Sequence, residues 1–190
     1  MTKPLKIGFD LDGVLLYNPA RMFRPITIFA KKLLGRKSSN KTHFYYPHSP
    51  IEKLLWRVVH WSSLYIAPGF DDIIRLSEAG LIEPYIITSR YDCLKGDFES
   101  WLKRMNAQKY FKGTFHNKNN VQPHVFKEQV VNNLNLHYFV EDNFDIVSHL
   151  TKTTTAKTIW ITNPFDTHIV YEPKFMTLKK AMDHIRDMLN

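Results

Sequence analysis

Residues 5–14 read LKIGFDLDGV, a short apolar run followed at once by two aspartates and a glycine. The run predicts a buried strand over residues 5–10, and Gly13 allows the backbone to turn away sharply after it. Alternation along the strand and the turn after it bring Asp10 and Asp12 near each other at the strand's carboxyl edge. This edge is therefore the first place to look for a functional site.

The rest of the chain alternates strand-type and helical stretches. Further strands are predicted over residues 84–88, 111–115, 137–141 and 158–162. Helical spacing of apolar residues predicts helices over 71–79, 91–105, 123–134, 144–150 and 177–189. Strands separated by helices indicate an α/β fold, a Rossmann-like parallel sheet flanked by helices. The ligand site of such a sheet lies at the carboxyl ends of its strands.

Length and composition narrow the class of protein. The chain has 190 residues, of which 44% are hydrophobic, so it can bury a sizeable core. The most apolar stretch, residues 54–61, is interrupted by Arg57 and His60, and the first apolar run meets Asp10 too early for a signal peptide. The single cysteine, Cys93, agrees with a reducing compartment. We expect a cytoplasmic protein without a membrane span, either a monomer or a homodimer.

The positive charge is concentrated in one part of the sequence. Residues 16–67 hold nine basic residues and one acid, and therefore carry the whole net charge of +8. Helical spacing after Pro25 and a capping box from Ser49 to Glu52 predict two helices joined by a loop. We expect a core domain formed by residues 1–15 and 68–190, with a small helical cap inserted at 16–67.

Two interpretations of this cap remain open. Its positive potential would attract anionic ligands, and the aromatic residues among the charges could stack on a nucleobase. The basic residues could equally form a solvated face that only keeps the protein soluble, with the aromatic residues as the small core of a helical pair.

Acidic residues follow a second strand of the predicted sheet. Glu141 and Asp142 end the strand over 137–141 and would join Asp10 and Asp12 at the same edge. Like charges this close repel strongly unless a cation neutralises them. Hard oxygen ligands without cysteine or clustered histidine point to Mg²⁺.

Hydroxyl and basic groups are predicted beside these acids. The strand over 84–88 ends in Thr88, followed by Ser89 and Arg90, and Lys127 lies early in the helix before the acidic pair. Carboxylates, a divalent cation, a hydroxyl and a lysine together make a site for a phosphoryl group. Arg90 could contact a substrate phosphate or pair with Asp92, and the sequence favours neither.

These motifs, taken in order, resemble those of the haloacid dehalogenase (HAD) superfamily of phosphotransferases. The resemblance rests on the DxDGV at residues 10–14, on Thr88 after a strand, on a helix-borne lysine, and on the pair Glu141-Asp142. The lysine is most simply Lys127, although Lys118 also precedes the acidic pair. Asp145 stands one residue earlier than in the family's pattern, which leaves its role open. The insertion resembles the cap of capped, 5'-nucleotidase-like members.

The resemblance implies a chemical role for each motif. Asp10 would be the nucleophile that forms an aspartyl-phosphate, and Asp12 the general acid and base. Thr88 and Lys127 would complete the catalytic set, with Ser89 and Arg90 binding substrate. Metal ligands are expected as follows: Mg²⁺ would be held by Asp10, by the backbone carbonyl of Asp12, by Asp142, and by Glu141 directly or through water.

The function expected from this resemblance is that of a magnesium-dependent phosphatase. Its substrate would be a small phosphorylated metabolite, with a nucleoside monophosphate as the first candidate and no obligate nucleic acid partner. Two alternatives stay open. One is a phosphomutase, and the other is a basic nucleic-acid-binding protein or polynucleotide-end phosphatase.

Overall fold

A six-stranded sheet organises the part of the chain that the computed structural model describes, residues 3–17, 46–60 and 63–189. The sheet order is β5-β4-β1-β6-β7-β8, and every neighbouring pair in it is parallel. Strands β2 and β3 form a separate antiparallel ribbon. In chain order, the strands are β1 (Leu5–Phe9), β2 (Leu16–Tyr17), β3 (Tyr65–Ile66), β4 (Ile82–Tyr91), β5 (Gly113–Asn117), β6 (Tyr138–Glu141), β7 (Lys157–Ile161) and β8 (Lys174–Phe175).

Helices pack on both faces of this sheet and make a three-layer α/β/α architecture. Buried residues of α2, α3 and α7 form the core on one face, and those of α5 and α6 form the core on the other. The helices are α1 (Pro50–His60), α2 (Phe70–Glu78), α3 (Lys95–Arg104), α4 (Ala107–Tyr110), α5 (Pro123–Leu134), α6 (Phe144–Thr153) and α7 (Leu178–Leu189).

Strand β1 runs through the middle of the sheet between β4 and β6. Its last three residues are buried, as the apolar run predicts. Gly8 is required by close packing, because a Cβ at this position would lie 2.6 Å from side-chain atoms of both Leu136 and Phe139. Gly13 has a φ of 84°, a conformation that favours glycine, and it turns the chain away just after Asp12. Strand β1 thus ends directly before Asp10, and the chain turns away after Asp12.

The predicted parallel sheet is confirmed, with four differences in its elements. Strand β5, predicted over 111–115, lies at Gly113–Asn117. The prediction of five strands misses β8, whose two residues are too short to show a periodic pattern. Strand β4 continues past Thr88 to Tyr91, with an irregular register between these two residues. The prediction of one helix over 91–105 is wrong at its start, because Tyr91 belongs to β4 and a 3₁₀ turn, Asp92–Leu94, precedes α3.

The basic window is described in part. Strand β2 leaves the core and β3 returns to it, and the two strands pair with each other. The predicted capping box is present at the start of α1, where Ser49 Oγ accepts from the Glu52 N–H at 3.2 Å and Glu52 Oε2 accepts from the Ser49 N–H at 3.0 Å. The helix predicted after Pro25 lies outside the described residues. None of the described helices is long and apolar enough to cross a membrane.

Candidate active site

Asp10 lies at the carboxyl edge of the sheet, directly after β1. Its backbone N–H donates to the carbonyl oxygen of Val140 in β6 at 3.0 Å, so the residue is held between two neighbouring strands. Its side chain is buried. The end of β1 therefore presents a carboxylate at the point where β6 also ends.

Glu141 and Asp142 bring two further carboxylates to the same point. Glu141 is the last residue of β6 and is completely buried, and Asp142 follows it. One carboxylate oxygen from each of Asp10, Glu141 and Asp142 lies within 4.8 Å of the others. Such a set of oxygen donors suits a hard divalent cation, so these three residues could hold Mg²⁺.

Lys127 reaches this carboxylate cluster from the first half of α5. Its Nζ lies 3.1 Å from Asp10 Oδ1 and 2.6 Å from Glu141 Oε2, and its side chain is buried. Burial disfavours the ammonium form, but the charges of Asp10 and Glu141 outweigh it and raise the pKa of Lys127 above its ordinary value. These two carboxylates therefore favour the charged form of Lys127. Lys118, the other lysine considered, is exposed just after β5.

One ammonium does not offset all the negative charge in this place. Burial raises the pKa of Asp10 well above its ordinary value; Lys127 opposes this rise, and Glu141, Asp142 and Asp12 add to it. Burial also raises the pKa of Glu141, again against the opposing charge of Lys127. A bound divalent cation would complete the neutralisation and favour the ionised form of these carboxylates.

Asp12 lies in the turn after β1, and its carboxylate is paired with Arg90. The Arg90 guanidinium donates to it in a fork, from Nε to Oδ2 at 2.8 Å and from the terminal nitrogen NH2 to Oδ1 at 2.7 Å. Ser63 Oγ also donates to Oδ1, at 2.7 Å. The sequence left Arg90 between a substrate phosphate and Asp92, and the structure pairs it with Asp12.

Thr88 and Ser89 place two hydroxyls at the carboxyl end of β4. Thr88 is buried, and its Oγ1 accepts from the Arg90 backbone N–H at 3.2 Å, which leaves the hydroxyl hydrogen available for donation. The buried Ser89 Oγ has no hydrogen-bond partner among the residues that the structure describes. Each hydroxyl therefore retains a hydrogen that it can donate.

Hydrogen bonds from β7 and within the start of α6 hold the backbone around Asp142. The indole N–H of Trp160 in β7 donates to the Asp142 carbonyl oxygen at 3.1 Å, and Trp160 is completely buried. Asn143 caps α6, because its Oδ1 accepts from the Asp145 N–H at 3.1 Å. Asp145 thus lies in the first turn of α6 with its backbone held by the cap.

Sequence reasoning missed Ser63, Trp160 and Asn143. Ser63 and Trp160 reach the site through contacts that span 51 and 18 residues of chain, for which periodicity gives no signal. Asn143 was detectable, because asparagine directly before a helix is a common N-cap. The basic loop residues Arg36, Lys37 and Lys41 lie outside the described residues.

Solved structures with this arrangement of strands and helices include several hydrolases. A HAD-superfamily hydrolase from Ehrlichia chaffeensis superposes with a TM-score of 0.56 at 15% identity, over 100% of both chains. A dehalogenase solved with an intermediate complex gives 0.60 at 14% identity, over 97% of this chain and 98% of its own. CbbY from Rhodobacter sphaeroides, solved with phosphate, gives 0.58 at 13% identity, over 95% of this chain and 96% of its own.

The chain has the haloacid dehalogenase fold. At these identities the likeness is one of fold alone. No protein-family model and no curated protein matches the chain by sequence. In the haloacid dehalogenase fold of this chain, the carboxylate cluster occupies the carboxyl edge of the sheet, where parallel α/β sheets bind their ligands.

Proposed function

We propose that the protein is a magnesium-dependent phosphatase of the HAD superfamily that hydrolyses small phosphate monoesters through an aspartyl-phosphate. One observation carries the proposal. The Asp10 carboxylate lies 3.1 Å from the Lys127 ammonium and shares a cluster within 4.8 Å with Glu141 and Asp142. A carboxylate can attack an anionic phosphate only where positive charge offsets their repulsion, and Lys127 together with a divalent cation held by these carboxylates would supply that charge.

The residues that would hold Mg²⁺ are the carboxylates of Asp10 and Asp142 and the backbone carbonyl of Asp12. Glu141 would bind the ion directly or through a water molecule. Each of its two oxygens already accepts one hydrogen bond, Oε2 from Lys127 and Oε1 from the Asn143 N–H. When bound, the ion supplies the positive charge that draws an anionic phosphate against a carboxylate.

In the first half of the reaction, an oxygen of Asp10 forms a bond to phosphorus as the ester P–O bond breaks. Asp12 enters this step as the carboxylic acid. The electron pair of the broken bond stays on the ester oxygen, which takes the proton from Asp12 and leaves as an alcohol, so that Asp12 becomes a carboxylate. Lys127, Thr88 and Ser89 hold the phosphoryl oxygens during the transfer. For Arg90, the substrate-binding role depends on its remaining terminal nitrogen, NH1, which has no hydrogen-bond partner within the described ranges.

In the second half, a water molecule attacks phosphorus and gives its proton to Asp12. The bond between phosphorus and Asp10 breaks, inorganic phosphate leaves, and both aspartates return to their starting states. The side chain of Asp12 remains 20% exposed, so water can reach it.

The substrate class that we propose is a small phosphorylated metabolite, with a nucleoside monophosphate first. The basic window 16–67, proposed as a cap on a core of residues 1–15 and 68–190, supports an anionic substrate. Two of its cations, Lys53 and Arg57, lie on α1, and Arg57 Nε is 3.8 Å from Asp97 Oδ2 on α3. This ion pair connects the window to the core. We further propose that the protein acts in the cytoplasm.

The decisive experiment measures release of inorganic phosphate from p-nitrophenyl phosphate and from a panel of nucleotides and sugar phosphates, with Mg²⁺ and with EDTA. We expect hydrolysis only with Mg²⁺. Asp10→Asn should abolish turnover and the phosphorylated intermediate seen by mass spectrometry, while leaving the circular dichroism unchanged. The exposed Asp187→Asn is the matched control. Turnover that survives Asp10→Asn contradicts the nucleophile assignment.

The same assay separates the two alternatives. A phosphomutase would transfer the phosphoryl group to an added sugar phosphate faster than to water. A nucleic-acid-binding protein would show strong, salt-sensitive binding to long DNA or RNA that persists in Asp10→Asn.

A further inference from the structure

The buried guanidinium of Arg90 holds the Asp12 carboxylate from one side through a fork of two hydrogen bonds. Two nitrogens of Arg90 donate to its two oxygens at 2.8 and 2.7 Å, and Ser63 adds a third donor at 2.7 Å. The Arg90 side chain is 2% exposed and that of Asp12 is 20% exposed. The donors therefore lie beneath the carboxylate, and part of its surface faces solvent.

Arg90 is itself fixed in place. It follows the irregular register of β4 after Thr88, and its backbone N–H donates to Thr88 Oγ1 at 3.2 Å. A buried guanidinium is tolerated only with paired charges, and here Asp12 is the carboxylate that it forks onto, with Asp97 contributing a weaker attraction. A planar fork of this kind fixes the orientation of a carboxylate as well as its position, which a lysine cannot do.

We propose that Arg90, assisted by Ser63, is a positioning residue that holds the Asp12 carboxylate where it accepts the proton of the hydrolytic water. The proposal rests on the proposed function and deepens it. In this step the water oxygen bonds to phosphorus, its proton goes to Asp12, and the bond from phosphorus to Asp10 breaks. Formation of the aspartyl-phosphate from an aryl phosphate needs little help from Asp12, because a phenolate leaves without a proton.

The consequence is an asymmetry between the two halves of the reaction. At saturating p-nitrophenyl phosphate, loss of the fork should slow hydrolysis of the aspartyl-phosphate far more than its formation. Loss of a contact between Arg90 NH1 and the substrate would raise the substrate concentration needed for saturation. Correctly placed acid-base groups contribute about 10²- to 10⁴-fold to proton-transfer steps, so misplacement of Asp12 should cost about 10- to 100-fold in the hydrolytic step. General destabilisation of the fold would lower both steps together and would produce no such asymmetry.

The test is rapid-quench and stopped-flow kinetics with p-nitrophenyl phosphate and Mg²⁺ on Arg90→Met, Arg90→Lys and Ser63→Ala. We expect a burst of p-nitrophenolate in Arg90→Met, phosphorylated protein in the quenched samples, and a slow steady state. Arg90→Lys should lie between this variant and wild type, and Ser63→Ala should show a smaller effect. Arg75→Met, which changes an arginine on the exposed side of α2, is the matched control and should behave as wild type.

The outcomes separate this proposal from the one on which it rests. If the wild type turns over but neither arginine variant accumulates phosphorylated protein, the positioning role is overturned and the phosphatase stands. If neither the wild type nor any of the variants is ever phosphorylated, both are overturned. If Arg90→Met does not fold, Arg90→Lys and Ser63→Ala decide the question by the same burst measurement.

Discussion

The Lys127 ammonium lies 2.6 Å from the Glu141 carboxylate, and both side chains are shielded from water. A buried ion pair costs desolvation free energy, so it contributes little net stability, but losing one partner leaves the other charge unpaired. The pair therefore links the stability of the fold to the composition of the candidate site.

We expect Lys127→Met to lower the free energy of unfolding by about 3–5 kcal/mol, because Glu141 then lacks its buried partner. Urea denaturation measures this. The double variant Lys127→Met with Glu141→Gln should recover part of the loss, since Glu141 is then neutral, while Asp10 still lacks the ammonium that lies 3.1 Å from it in the wild type. A single variant as stable as the wild type would contradict the pairing.

Packing around β1 gives a second prediction. Gly8→Ala should destabilise the protein by about 1–3 kcal/mol, because the added methyl would overlap Leu136 and Phe139. Gly96→Ala is the matched control, since a Cβ there meets nothing within 4 Å and lies in α3. It should stabilise the helix by about 0.5–1 kcal/mol. Thermal unfolding of the two variants should shift in opposite directions.

Trp160 gives a prediction about metal affinity. Trp160→Phe keeps an aromatic ring but removes the N–H that holds the Asp142 carbonyl at 3.1 Å. Groups that orient metal ligands are commonly worth 10- to 100-fold in affinity, so we expect Mg²⁺ binding to weaken by about 10-fold. Isothermal titration calorimetry measures the change. Trp101→Phe, on α3, should bind Mg²⁺ as the wild type does, and equal weakening in both variants would refute the role of the indole N–H.

His116 gives a prediction about pH. Burial lowers the pKa of His116, and the nearby Lys118 lowers it further. The unfolded chain, with a histidine pKa of about 6.5, then binds this proton more readily than the folded protein. The stability contributed by neutral His116 is therefore complete above that value and is lost as pH falls through the lower folded pKa.

Two measurements check this sign. The His116 ring resonances should titrate below pH 6.5 in NMR spectra. In addition, His116→Phe should flatten the dependence of the urea midpoint on pH between about 5 and 7. A His116 ring that titrates above the unfolded value would reverse the prediction.

The sequence predicted the elements whose patterns are local. The helix predicted over 123–134 is found at Pro123–Leu134. Proline at the first helical position and the apolar spacing after it are signals that lie within the helix itself. The capping box at Ser49 and the aspartates after β1 are also local patterns. Contacts such as those of Ser63 and Trp160 depend on how distant segments meet in three dimensions, which spacing along the chain does not encode.

The partners of charged residues also could not be predicted from spacing along the chain. For Arg90 the sequence suggested Asp92, two residues away, as the protein partner, and the structure gives Asp12, 78 residues away. Arg90 lies in the part of β4 where the register with β5 is irregular, and its guanidinium contacts Asp12 in the turn after β1. The identity of the partner therefore follows from strand order, since β4 and β1 are neighbours.

The ribbon of β2 and β3 has an architectural consequence. Tyr17 and Tyr65 pair across it, and their ring centroids are stacked 4.8 Å apart. The chain therefore leaves the core and returns to it at the same place. Because the segment between β2 and β3 begins and ends at this ribbon, its length can change without a change in the strand order of the six-stranded sheet. If the proposed phosphatase selects its substrate through the segment between these two strands, substrate preference can change there while the carboxylate cluster of Asp10, Glu141 and Asp142 stays the same.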